Sequence, residues 1–216
     1  MPLSAVDWNV IVVGRWNLAI LTPAGVAEQL FGLKKGTPVE VLVALDQVQP
    51  HRIKYNDIVV IPDDGRLTVV PSSNSFESLG KAIAIAARSL EVLPKTPIEA
   101  VGINVRYSAD SSIGCLDQII SSSQDDKLSD EEFEIVGRLN HRSVVWKNGR
   151  INISVKLDDS DNYNVLFNLE RISAVGEEIS EWLETPISDI EAVVRQLISK
   201  YLCITNEEFE DDAEPE

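Results

Sequence analysis

The chain has 216 residues, of which 44% are hydrophobic and 25% charged, with two cysteines and a formal net charge of −16. That composition supports a packed globular core, and it excludes a disulfide framework and any apolar run long enough to span a membrane. The charge is unevenly placed: nine basic and nine acidic residues run up to Thr96, and ten basic and 26 acidic residues follow from Pro97.

The N-terminus, MPLSAVDWNV, has neither a basic n-region nor an apolar h-region, so a reducing, cytoplasmic setting is expected. DWNVIVVGRWNLAIL (7–21) is predicted as strand, because Val10, Val12, Trp16, Leu18 and Ile20 largely alternate. Thr22-Pro23 then predicts a helix start, with Thr as N-cap and Pro at the first helical position. GVAEQLF (25–31) fills that short helix, and VEVLVALD (39–46) is predicted as the next strand. NDIVVIPDDGRLTVVPS (56–72) predicts two strands around an Asp-Asp-Gly turn. Phe76, Leu79, Ile83, Ala86, Leu90 and Leu93 then make a one-sided helical stripe.

Past Pro94-Lys95-Thr96-Pro97 the same order returns. IEAVGINVRYSA (98–109) is β-rich, Ser111-Ser112 offers caps, and GCLDQII (114–120) matches GVAEQLF at an offset of 89 residues. FEIVGRLN (133–140) matches VEVLVALD at an offset of 94, with the extra residues in the acidic loop 121–132. Lys147-Asn148-Gly149-Arg150 predicts a tight hairpin between RSVVW (142–146) and INISVKL (151–157). A second turn falls at Asp158-Asp159-Ser160-Asp161-Asn162. A short helix is expected over 177–184, stopped by Thr185-Pro186, then a longer one through Ile187, Ile190, Val194, Leu197 and Tyr201. Ser188 and Glu191 have capping-box spacing at its start.

These matches predict a tandem duplication and an α+β fold. Two β-α-β-β-β-α repeats, 1–96 and 97–205, form a curved antiparallel sheet with long helices on one face, and 206–216 is an acidic disordered tail. The order resembles the TATA-box-binding-protein-like topology, a helix-grip-like arrangement, over roughly residues 7–202. The resemblance implies two units joined edge to edge and one open sheet face. In DNA-binding relatives of that topology the open face is basic and carries intercalating phenylalanines; no such basic–aromatic clustering occurs here.

Arg15-Trp16 and Arg106-Tyr107 fall in the two equivalent first strands. They read either as alternating strand residues or as a pair of partner anchors, since Trp, Tyr and Arg are enriched at hot spots. His51 and His141, each followed by Arg (Arg52, Arg142), are the two histidines. With Asn104 they make a candidate polar site, although no Ser, Cys or carboxylate stands at triad or dyad spacing. Phosphate-binding, zinc and nucleophile-elbow motifs are absent. DDSDNYNVLFNLE lacks the sixth-position glycine of a calcium loop and reads as a hairpin turn. Cys115 matches the core position Val26, and Cys203 follows the last helix. No metal or cofactor is expected. The acidic segments 124–134 and 206–216, the latter with Glu207, Glu208, Glu210, Asp211 and Asp212, read as solubilising charge or as arms for a partner with a basic surface.

The expected function is a non-catalytic, bacterial-type protein-interaction module: an accessory, inhibitor, antitoxin, immunity or defence-complex subunit. It would use the open face and the acidic segments. The absent motifs weigh against an enzyme without closing the question. A small-molecule-binding or enzymatic helix-grip protein is the alternative. A nucleic-acid-associated protein or DNA mimic is the second, and acidic charge disfavours direct nucleic-acid binding. Free sheet edges make a homodimer compatible with the sequence.

Overall fold

The structure, a computed structural model, describes residues 3–43, 50–110, 114–158, 162–204 and 209–210. The first half runs β1 (Leu3–Ala5), β2 (Asn9–Gly14), α1 (Pro23–Gly25) continued by a π-helical turn (Val26–Leu30), β3 (Glu40–Leu42), β4 (Arg52–Tyr55), β5 (Ile58–Pro62), β6 (Arg66–Pro71) and α2 (Phe76–Val92). The second runs β7 (Ile98–Asp110), α3 (Gly114–Ile120), α4 (Asp125–Asp130), β8 (Arg138–Trp146), β9 (Gly149–Leu157), β10 (Asn162–Ile172), α5 (Gly176–Leu183), α6 (Ile187–Lys200) and β11 (Phe209–Glu210).

The eleven strands of the described residues join one sheet in the order β3-β4-β5-β6-β2-β7-β10-β9-β8, with β1 beside β7 and β11 beside β1. Every pairing is antiparallel except β1 with β11. Together with six α-helices among the described residues, this makes an α+β fold. β2 and β7 meet at the centre, Val12 opposite Val101, so the two halves share one sheet. Alternate residues of these strands are buried, as the period-2 pattern requires for a face covered by helices. Phe76, Trp8, Tyr107 and Phe167 carry the core across the junction, with successive ring centroids 4.8, 5.7 and 6.3 Å apart. Phe76 opens α2, whose N-terminus is capped by Ser75 accepting from the Ser78 N–H at 3.2 Å.

Several boundaries differ from expectation. The first long strand ends at Gly14, after a register shift at Val13/Gly14. The Arg15 and Trp16 N–H groups then bond to the carbonyls of Pro97 and Asp64, each at 2.9 Å, and pull the chain off the ladder. Leu18 and Ile20 are exposed there in a turn. The strand foreseen over 39–46 is confined to Glu40–Leu42, with 44–46 outside the described residues, and 133–137 is not strand at all. α4 forms within the acidic loop, where Arg138 holds Asp125 at 2.8 Å. The last helix begins at Ile187 rather than at a Ser188 cap: Pro186 takes the cap position, and Glu191 pairs with Arg195 at 2.8 Å. The halves also differ in content. Among the described residues four strands lie between α1 and α2, and three between α4 and α5. Ser111 and Ser112 lie outside the described residues.

Candidate binding face

The side chains on the sheet face away from the core are all half-buried or exposed among the described residues. That face is ordered by one row. Asn9 on β2, Asn104 on β7, Asn168 on β10, Asn152 on β9 and Ser143 on β8 stand opposite one another across five strands. The Ser143 hydroxyl donates to Asn152 Oδ1 at 2.8 Å. Asn152 Nδ2 donates to Asn168 Oδ1, Asn168 Nδ2 to Asn104 Oδ1, and Asn104 Nδ2 to Asn9 Oδ1, each at 2.9 Å. Asn9 Nδ2 ends the chain on the Asp7 carbonyl at 3.1 Å. All these bonds point the same way, so each polarises the next.

The flanking rows complete the face. Toward the β8–β9 hairpin, Ile11, Gly102, Glu170, Arg150 and Val145 align. Arg150 Nε lies 3.1 Å from the Glu170 carboxylate, which also accepts from Asn152 at 2.8 Å. Gly102 is required for close approach: a Cβ there would lie 2.7 Å from Asn168 Nδ2. On the other flank stand Arg106, Leu166, Ser154 and His141, with His141 Nδ1 2.9 Å from Ser154 Oγ. A groove of about 330 Å³ runs along Ser143, Val145, Arg150, Glu170 and Ile172. The first half presents β-branched residues on this face instead: Ile11, Val13, Val59, Ile61, Thr68 and Val70.

The charge is divided by face as well as by half. The uncovered face carries Arg52, Lys54, Arg66, Arg106, Arg150 and Lys156 against Glu40 and Glu170, on a chain of net charge −16. The Arg138 guanidinium hydrogen-bonds Asp125 from the opposite face and holds its carboxyl below the usual carboxylate range. Ser173 first and Arg171 second lower Glu178 in the same way.

The candidate residues read from the sequence separate in space. Trp16 is 4% exposed, with its indole N–H bonded to the Val12 carbonyl at 3.1 Å, and Tyr107 is fully buried between Trp8 and Phe167. Both rings are therefore core residues rather than surface anchors: Tyr107 takes the covered side of β7, and Trp16, past the end of β2, folds back to bond Val12. Arg106 and Asn104 do face outward, Arg106 3.9 Å from Asp7. Arg15 lies away from the asparagine row, beside Lys95, Ile20 and Leu93 in a pocket of about 510 Å³. His51 precedes β4 and His141 sits on β8, near opposite ends of the sheet order, so the two histidines form no common site. Arg52 opens β4 in an exposed position, and Arg142 points to the face opposite His141. Glu207, Glu208, Asp211 and Asp212 lie outside the described residues; Glu210 belongs to β11.

Sequence reasoning missed Asn9, Asn152, Asn168, Ser143, Arg150 and Glu170. A signal was present: asparagine is depleted in strands, yet it recurs within four predicted ones. Among the described residues no three His, Cys, Asp or Glu are placed to hold a metal ion. Side-chain amides, a hydroxyl and paired cations offer donors and acceptors for recognition. No helix among the described residues is long and apolar enough to cross a membrane. No protein-family model matches the chain, and no curated protein matches it.

Proposed function

We propose that the protein is a non-catalytic protein-interaction module that holds its partner on the uncovered sheet face. The observation that carries this reading is the asparagine row. A bare sheet face needs no such order for solubility, whereas a partner needs fixed donors and acceptors. Asn9, Asn104 and Asn168 each keep one amide hydrogen beyond the bonds within the row. Arg106 and Arg150 supply the residue type most useful for bidentate contacts. The acidic segments form a second, separate contact for a basic surface on the same partner. In this reading the protein acts as a cytoplasmic accessory, inhibitor, antitoxin, immunity or defence-complex subunit.

A tandem duplication underlies the architecture in this reading. It is supported by the central pair Val12 and Val101, which differ by the 89-residue offset of the matching heptapeptides. Later divergence then added α4 and α5 to one half and β3 to the other.

The test is affinity capture from the host lysate with three baits: the full chain, a version ending at Thr205, and the full chain with Arg106→Glu and Arg150→Glu. One stoichiometric partner, lost by the charge-reversed bait and weakened without the tail, is the expected result. Retention by the charge-reversed bait removes the face from the interaction. If nothing is captured, the groove beside Arg150 and Glu170 favours the small-molecule reading, and a thermal-shift screen reports it directly.

A further inference from the structure

β8 ends the sheet, and among the described residues its outer side has no strand partner. It is nine residues long and free of proline, whereas the opposite edge, β3, has three. A long open edge is a template for another strand. Its outward apolar side chains are unusually bare: Val145 is 88% exposed and Leu139 64%. Between them, on the other face, stands Arg142. Arg138, Lys147 and Arg150 each have a carboxylate within 3.1 Å, whereas the Arg142 guanidinium donates to the backbone carbonyl of His141 at 2.9 Å.

Two occupants compete for this edge. A second copy, paired antiparallel over all nine residues, would set Leu139 against Val145 but also Arg142 against Arg142 at the centre. Like charges directly opposite are destabilising. A foreign strand with an acid at that position turns the same contact into an attraction. We propose that the β8 edge docks an extended segment of a partner protein, in β-augmentation, with a central acidic residue opposite Arg142 and apolar residues three places to either side. The proposal rests on the interaction-module reading and names the chemistry of the partner.

The probe is a synthetic peptide, Val-Thr-Thr-Glu-Thr-Thr-Val, titrated into the full-length ¹⁵N-labelled protein and followed by NMR. Saturable shifts centred on residues 138–146 are expected, with binding about tenfold weaker when Lys replaces the central Glu. Arg142→Glu, at an exposed position, reverses that preference. No shifts, shifts elsewhere, or equal binding of both peptides overturns the proposal. So does sedimentation of the wild-type protein as a dimer that the exposed-site pair Leu139→Lys and Val145→Lys abolishes, which makes the occupant a second copy. If the peptide fails while the Arg106 and Arg150 reversals still release the captured partner, the edge proposal falls and the face reading stands.

Discussion

Two glycines that align in the sequence meet different surroundings. A Cβ on Gly25 would lie 1.9 Å from the Ile20 carbonyl oxygen, whereas a Cβ on Gly114 meets nothing within 4 Å. Gly25→Ala is therefore expected to cost about 2–3 kcal/mol, and Gly114→Ala to stay within about 0.5 kcal/mol of the parent. Urea midpoints measure both, and equal losses would contradict the close approach at Gly25. The asparagine row makes a second test at this scale. Asn104→Ala and Asn168→Ala each remove two bonds of the row and should cost about 1–2 kcal/mol. Their double-mutant cycle should show a coupling of about 0.5–1.5 kcal/mol, because the two amides touch. Strict additivity would mean that the bond contributes nothing to stability.

At the scale of elements, α4 has no buried residue among those described and depends on its ion pair to reach β8. Asp125 is lowered chiefly by the hydrogen bond from Arg138, so the folded state binds its proton less readily than the unfolded chain. Its contribution is present above the unfolded carboxylate pKa of about 3.9 and is lost as pH falls through the folded value. Asp125→Asn should therefore lower stability near neutrality and narrow its gap from the parent on acidification. Urea midpoints at pH 7 and pH 2.5 check the sign, and a gap that widens in acid would be inconsistent with the pair. α2, by contrast, is fixed by burial: Phe76, Leu79, Ala82, Ile83 and Ala86 lie against the sheet. Its boundaries followed from hydrophobic spacing alone.

Across the whole molecule, the central β2–β7 ladder and the Trp8–Tyr107 contact give the halves a common core. One cooperative unfolding transition is expected, with fluorescence and circular dichroism coinciding. Trp8→Ala should cost about 3–5 kcal/mol and weaken both halves together. Separate transitions would show that each half folds on its own. A fragment of 97–204 would expose the β7 edge along with Tyr107, and its amide spectrum should be that of an unfolded or associating chain.

The sequence by itself determined the elements whose periodicity is local. Helices over 76–92 and 187–200, the hairpin at Lys147-Asn148 and the β7 strand all follow from spacing and turn residues, because each depends on neighbours a few positions away. The α+β class followed from their order. Tertiary structure decided what depends on pairing between distant segments. Trp16 and Tyr107 read either as strand residues or as partner anchors; the pleat of β7 turned Tyr107 inward, and the chain leaving β2 at Gly14 buried Trp16. Asn9, Asn104, Asn152 and Asn168 are scattered over 160 positions of sequence, and only the sheet brings them into one row. The bare face and the open β8 edge exist for the same reason: a strand's neighbours are set by long-range hydrogen bonds, which no local pattern encodes.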